Sequence, residues 1–182
     1  MKKFSLENPT ISYIILGFVF AAVLWIGFFA QPARSEVTVQ QTIETIQTTP
    51  TLTEEDRRQI ECMAVNSYFE ARAEPRDGII AVHNVVLNRV QDSRFPDTPC
   101  GVVYQRNRRG CQFSWYCDGH SDNPRNRELY SELEELAEEV YTGEHNDVTN
   151  GAKFYHATYV RPRWRHAMEK TTQIGAHIFY KG

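Results

Sequence analysis

Residues 11–30 read ISYIILGFVFAAVLWIGFFA, twenty consecutive positions without a charged side chain. Inside a bilayer every backbone N–H and C=O must be bonded within the segment, so a run of this length predicts one membrane-spanning helix of about 20 residues. A chain of 182 residues with such a run has room for one further domain of ordinary size. Lys2 and Lys3 precede the run, and the positive-inside tendency places residues 1–10 in the cytoplasm and everything after Gln31 outside. Trp25 near the distal end suits an interfacial anchor. A cleaved signal peptide is the competing reading, but its apolar core is usually only about 7 to 15 residues. Phe28-Phe29-Ala30 also puts a bulky residue where cleavage needs a small one. Both readings export the rest of the chain, and the first makes it a single-pass protein of the cytoplasmic membrane with its domain on the extracytoplasmic side.

Residues 31–53 are rich in Thr and Gln and carry no apolar period, which reads as a flexible tether. As a coil it would span about 25 Å, and pulled straight about 75 Å. The folded domain is expected over residues 54–182. Four cysteines, Cys62, Cys100, Cys111 and Cys117, fit an oxidising location, and at least one disulfide is expected, within the segment from Cys100 to Cys117. Free buried thiols and a zinc site are the alternatives, but no C-x-x-C pair occurs. A net charge of −3 supplies no whole-chain basic field, so nucleic acid is not an expected partner.

The texture changes at Thr53. Thr53 with Asp56 forms a capping-box pattern, Glu54, Glu55 and Asp56 suit a helix N-terminus, and Ile60, Met63, Ala64, Ser67, Tyr68 and Ala71 make an inward stripe. Pro75 ends this helix at or before Glu74. A second helix is read from Ile79 to Val90; it is apolar nearly all round, with Asn88 and Arg89 at its end facing a cleft or satisfying loop carbonyls. A short helix is expected near 100–105. An amphipathic helix follows, with Leu129, Leu133, Leu136, Ala137, Val140 and Tyr141 inward and a glutamate-rich outer face that reads as solvated. Residues 147–182 read as loops and short extended segments. The class is therefore α+β, mainly helical with a small extended or hairpin part, preceded by one N-terminal transmembrane helix.

Glu70 is the first candidate for chemistry. At the border of a buried stripe its charged form is disfavoured, which raises its pKa toward the range where a carboxyl group donates a proton near neutrality. Glu74, Asp77 and Asp118 are candidates for a second carboxylate, though Pro75 points to a structural role for Glu74. Arg72 reads as a partner of Glu74 or Asp77. Gln112, Phe113, Ser114 and Trp115 form a polar and aromatic loop suited to sugar, since aromatic faces stack on pyranose C–H surfaces. The equal alternative is that Phe113 and Trp115 are core. Tyr155, His156 and Tyr159 are placed on the far wall. His156, His166 and His177 lie ten and eleven residues apart with no H-E-x-x-H, so no metal site and no cofactor is expected.

Several stretches in series carry a resemblance. They are Tyr68-Phe69-Glu70-Ala71-Arg72-Ala73-Glu74, Val86-Leu87-Asn88-Arg89-Val90, Cys100-Gly101-Val102-Val103-Tyr104-Gln105, Cys111-Gln112-Phe113-Ser114-Trp115 with Cys117-Asp118-Gly119, Tyr155-His156-Ala157, Pro162 with Trp164, and Ile174-Gly175 with His177 and Phe179-Tyr180. Together they resemble the cell-wall hydrolase family of the spore-cortex-lytic enzymes (SleB and CwlJ), from about Ile60 to Tyr180. The resemblance implies a lysozyme-like domain that acts on peptidoglycan, with one essential glutamate at the position of Glu70. It also implies lytic transglycosylase activity on the bond between muramic acid and glucosamine. An N-acetylmuramoyl-L-alanine amidase and a non-catalytic peptidoglycan-binding module are the rival readings. Ala73 stands where the family more often has Gly, and the apolar run replaces the separate wall-binding domain of some spore enzymes, so no spore role is implied.

Overall fold

The structure, a computed structural model, describes residues 51–108 and 110–182. The apolar run 11–30 and the tether up to Pro50 lie outside the described residues. Among the described residues no helix is long and apolar enough to cross a membrane.

Helix α1 (Glu54–Glu70) begins as the Thr53 pattern predicts. The Thr53 side-chain oxygen accepts from the Asp56 N–H at 3.1 Å, and Asp56 Oδ2 accepts from the Thr53 N–H at 2.9 Å. These bonds occupy two N–H groups that helix geometry would otherwise leave unbonded. The helix stops at Glu70, with Ala71 leaving helical dihedrals at φ −138°. Pro75 then opens helix α2 (Arg76–Val90), where its missing N–H costs nothing. Helix α3 (Pro99–Val103) is capped by Thr98, whose side chain accepts from the Gly101 N–H at 3.1 Å. A two-residue-per-strand hairpin follows, β1 (Arg106–Asn107) with β2 (Gly110–Cys111), and leads into a 3₁₀ turn over Ser114–Cys117. Helix α4 (Arg127–Tyr141) is capped by Asn126.

The chain closes with an antiparallel three-stranded sheet in the order β3 (Phe154–Ala157), β5 (His177–Lys181), β4 (Glu169–Ile174). A bulge interrupts the β4–β5 register between Lys170 and Thr172, and a second 3₁₀ turn (Arg163–Ala167) precedes β4. The class is thus helices with small sheets, and the last 36 residues contain more regular strand than the sequence made evident.

Met63, Ala64, Val86, Val102, Val103, Leu136 and Ala137 form the main core between α1, α2, α3 and α4. Each large apolar side chain removed from water there contributes about 1.5 to 3 kcal/mol. A smaller cluster of Ala81, Val85, Ala152 and Phe179 seats the sheet on α2. The inward stripe of α4 appears as expected at Leu133, Leu136, Ala137 and Val140, while Leu129 is only half-buried. Its outer face is not wholly solvated, because Glu139 bonds Arg76 on α2 and His145 at 2.8 Å. Two disulfides are present, Cys62–Cys100 and Cys111–Cys117. The second lies within the expected segment; the first joins α1 to α3 across 38 residues.

Candidate active site

The end of α1, the end of α2, the loop after β2 and strand β3 converge on a cavity of about 480 Å³. Its lining contains Glu70, Arg89, the Cys111–Ser114 stretch, Phe154, Tyr155, Trp164 and Met168. Glu70 is the last residue of α1. Its Oε2 accepts a hydrogen bond from the Tyr155 hydroxyl at 2.9 Å. Burial raises the Glu70 pKa, the Tyr155 hydroxyl and the Arg89 charge opposing in smaller measure. A helix C-terminus presents unbonded carbonyls, so the position itself adds to the cost of a negative charge. Burial also holds the Tyr155 hydroxyl well above its ordinary pKa, so it remains a neutral donor.

Arg89 enters from α2. Its Nε donates to the Lys153 carbonyl at 2.8 Å, so it both faces the cleft and satisfies a loop carbonyl. Burial pushes its pKa down to about 10, which leaves it a cation at neutral pH. Asn88 beside it serves the loop alone, donating to the Ala152 carbonyl and to Thr149 and Asp147.

Gln112, Phe113 and Ser114 line the cavity, with Ser114 exposed and Phe113 buried. Trp115 does not reach it. Its ring stacks on Phe69 at 4.8 Å and its Nε1 donates to buried Asn66 at 3.1 Å, so the 3₁₀ turn rotates it into the core. His156 is likewise absent from the lining. Neighbouring residues on a strand point to opposite faces, so with Tyr155 toward Glu70, His156 turns toward the Tyr180 hydroxyl at 3.0 Å and the ring of Trp164. Tyr159 is 85 % exposed and forms no wall. Phe154, Trp164 and Met168 complete the lining and were not among the residues singled out for the site. Only the Tyr155-His156-Ala157 stretch and the Pro162–Trp164 motif pointed to that region.

Among the described residues, Glu70 is the one carboxylate lining this cavity. Glu74 accepts from the Ala176 N–H at 2.8 Å and so belongs to the β4–β5 turn. His177 Nδ1 stands 3.8 Å from it, too far for a hydrogen bond, and burial lowers the His177 pKa. Asp77 is exposed, and Asp118 accepts from the His120 N–H within its own turn at 2.8 Å. Arg72 pairs with neither Glu74 nor Asp77; its guanidinium lies over the Tyr68 ring at 5.3 Å, where a cation–π contact replaces the ion pair. The described residues contain no group of three His, Cys, Asp or Glu side chains arranged to hold a metal ion.

The model of the Cell Wall Hydrolase family matches residues 73–180, beginning three residues after Glu70. The spore cortex-lytic enzyme of Oceanobacillus iheyensis is 32% identical over 125 residues, covering 67% of this chain and 41% of that protein. The Bacillus subtilis enzyme of the same name is 30% identical over 124 residues, or 66% and 36%. The chain therefore spans less than half the length of these curated relatives. The catalytic domain of the Bacillus cereus SleB protein aligns with a TM-score of 0.53 at 29% identity, covering 68% of this chain and 89% of that domain. The catalytic domain of the germination-specific lytic transglycosylase SleB from Bacillus anthracis aligns with a TM-score of 0.55 at 27% identity, covering 72% and 98%.

Proposed function

The chain belongs to the cell wall hydrolase family, and on that premise we propose that it cuts the β-1,4 bond between muramic acid and glucosamine in peptidoglycan as a lytic transglycosylase. Glu70 acts first as acid and then as base. The observation that supports this reading is a single carboxylate at a cavity, its neutral form favoured by burial and its orientation held by Tyr155. A glycosidic oxygen leaves poorly until it is protonated, and a neutral carboxyl group beside it supplies that proton. The C–O bond then breaks with its electron pair on the leaving oxygen. The 6-hydroxyl of the same muramic acid attacks the anomeric carbon and returns its proton to the Glu70 carboxylate, closing a 1,6-anhydro ring. A hydrolytic lysozyme would need a second carboxylate about 5 to 9 Å away, and Glu74, Asp77 and Asp118 are engaged or placed elsewhere.

Gln112, Ser114 and Tyr155 are the proposed contacts to sugar, Tyr155 offering a ring face and Gln112 and Ser114 offering hydrogen bonds, while Phe113, 3 % exposed, belongs to the core. Residues 11–30 are proposed to tether the domain to the cytoplasmic membrane, and fractionation of the full chain against one lacking residues 11–30 tests this. The activity is tested by digesting purified sacculi and weighing the products. Anhydromuropeptides are expected, and they should vanish with Glu70→Gln. Intact free stem peptides would instead identify an amidase, ordinary reducing ends a hydrolase, and pelleting with sacculi without release of fragments a binding module.

A further inference from the structure

The cavity holds a cation that no carboxylate contacts. Arg89 is 3 % exposed, its Nε is bonded to the Lys153 carbonyl, and its Nη1 has no hydrogen-bond partner. The rings of Phe95, Phe113 and Phe154 stand 5.2 to 5.9 Å from its guanidinium carbon. Asp92, on the turn after α2, is taken by Arg94 at 2.6 Å and Lys153 at 3.0 Å. Ring faces offset part of the cost of burying a charge, but they do not replace an anion. An unpaired buried cation persists where something else in the molecule needs its field.

We infer that Arg89 is a positioning residue for Glu70: its guanidinium is the counter-charge that steadies the carboxylate left behind once the proton has gone to the glycosidic oxygen. The inference rests on the proposed acid and base roles of Glu70. In that cycle Glu70 is negative from the moment the bond breaks until the 6-hydroxyl returns a proton, and the carboxylate must survive that interval in a site that disfavours it. The groups facing it are few. From β3 the Tyr155 hydroxyl donates to Oε2. From β5 the His177 ring lies 5.1 Å from Tyr155, its pKa lowered by burial. The loop after β2 presents Gln112 and Ser114, and the segment before β4 presents Trp164 and Met168, all uncharged. Among the described residues lining the cavity, Arg89 is thus the one cation.

A purely structural Arg89, tying α2 to the Lys153 carbonyl, would predict lost stability and nothing else. Two variants separate the readings. Arg89→Met keeps an unbranched side chain among the three phenylalanines without charge, and Arg89→Lys restores the charge. The Glu70 carboxyl is titrated by ¹³C NMR in each folded protein, and kcat and KM are measured on sacculi across pH. Arg89→Met is expected to raise the Glu70 midpoint by about one pH unit or more and to move the high-pH limb of activity with it. It should lower kcat about tenfold or more with KM little changed, while Arg89→Lys returns both toward the parent. An unchanged midpoint in folded Arg89→Met, equal shifts in both variants, a shifted midpoint with unchanged kcat, or failure of both variants to fold would overturn the inference. If Glu70→Gln leaves digestion intact, the acid role fails separately, and the NMR midpoint still reports on the pair.

Discussion

Helix α1 carries carboxylates at both ends, and the two ends obey opposite rules. At the start, Glu54, Glu55 and Asp56 face the helix N-terminus, where negative charge is favoured, and the Thr53 hydroxyl chiefly holds the Asp56 carboxyl below its ordinary range. At the finish, Glu70 sits at a C-terminus with no basic residue in the last turn, and burial drives its carboxyl the other way. The first end is arranged for stability. The second accepts a cost that stability alone would remove, and such a position is where chemistry is expected.

The largest expected effect comes from making the second end resemble an ordinary one. Glu70→Gln should lower release of soluble fragments roughly a thousandfold while the fold persists, because the amide oxygen still accepts from Tyr155. The same variant sharpens the contrast through pH. A raised carboxyl pKa gives stability that is complete below the unfolded value and is lost as pH rises through the folded value. Thermal unfolding of Glu70→Gln and the parent should therefore agree at acid pH, with the variant gaining the advantage as pH rises from the ordinary carboxylate range through the raised Glu70 value. Asp56 has the reverse sign, and its contribution disappears as pH falls through its lowered pKa.

The next effect concerns the middle of the helix. Cys62→Ala with Cys100→Ala releases a closed loop and should cost about 2 to 4 kcal/mol in denaturant unfolding, with kcat retained at temperatures where the domain is folded. Gly175→Ala should cost about 1 to 3 kcal/mol, because φ is +55° and an added Cβ would lie 1.9 Å from Glu74 Oε2. The smallest effect belongs to the first end. Thr53→Ala should lose about 1 kcal/mol of stability with activity unchanged. Equal effects of Thr53→Ala and Glu70→Gln on activity would dissolve the contrast between the ends.

What could be read from the sequence follows the range of the interaction. Thr53 with Asp56, the stop before Pro75 and the stripe Leu133, Leu136, Ala137, Val140 are local patterns, and each appears where it was expected. Buried Asn66 was missed because the one bond to its side chain, at Oδ1, comes from Trp115, 49 residues away, and its Nδ2 has no partner among the described residues. His83, buried without a partner and held neutral with a pKa near 3, gives no local sign of that environment. Cys62 with Cys100 depends on how α3 meets α1, which the spacing of four cysteines cannot determine. Of the cavity lining, Glu70, Gln112, Phe113 and Ser114 were legible by type and position, whereas the inward turn of Trp115 was not. Which of Tyr155 and His156 turns inward depends on the strand's register, and a single residue of slip would have exchanged them.

Glu74 shows what a second carboxylate so close to Glu70 is used for. It lies against Gly78 of α2 on one side and Gly175 of the β4–β5 turn on the other, and it accepts the Ala176 N–H. Neither neighbour leaves room for a side chain. Glu70 is carried by α1 and the Tyr155 hydroxyl bonded to it by the sheet, two parts of the molecule far apart in the chain. Glu74 fastens the edge of one to the end of the other, so the Glu70–Tyr155 spacing is fixed by a joint outside the cavity. A change of length in the connection between α1 and α2 would move Glu74 off this joint and shift Glu70 against Tyr155, whereas a substitution in the walls of the cleft would leave the joint in place.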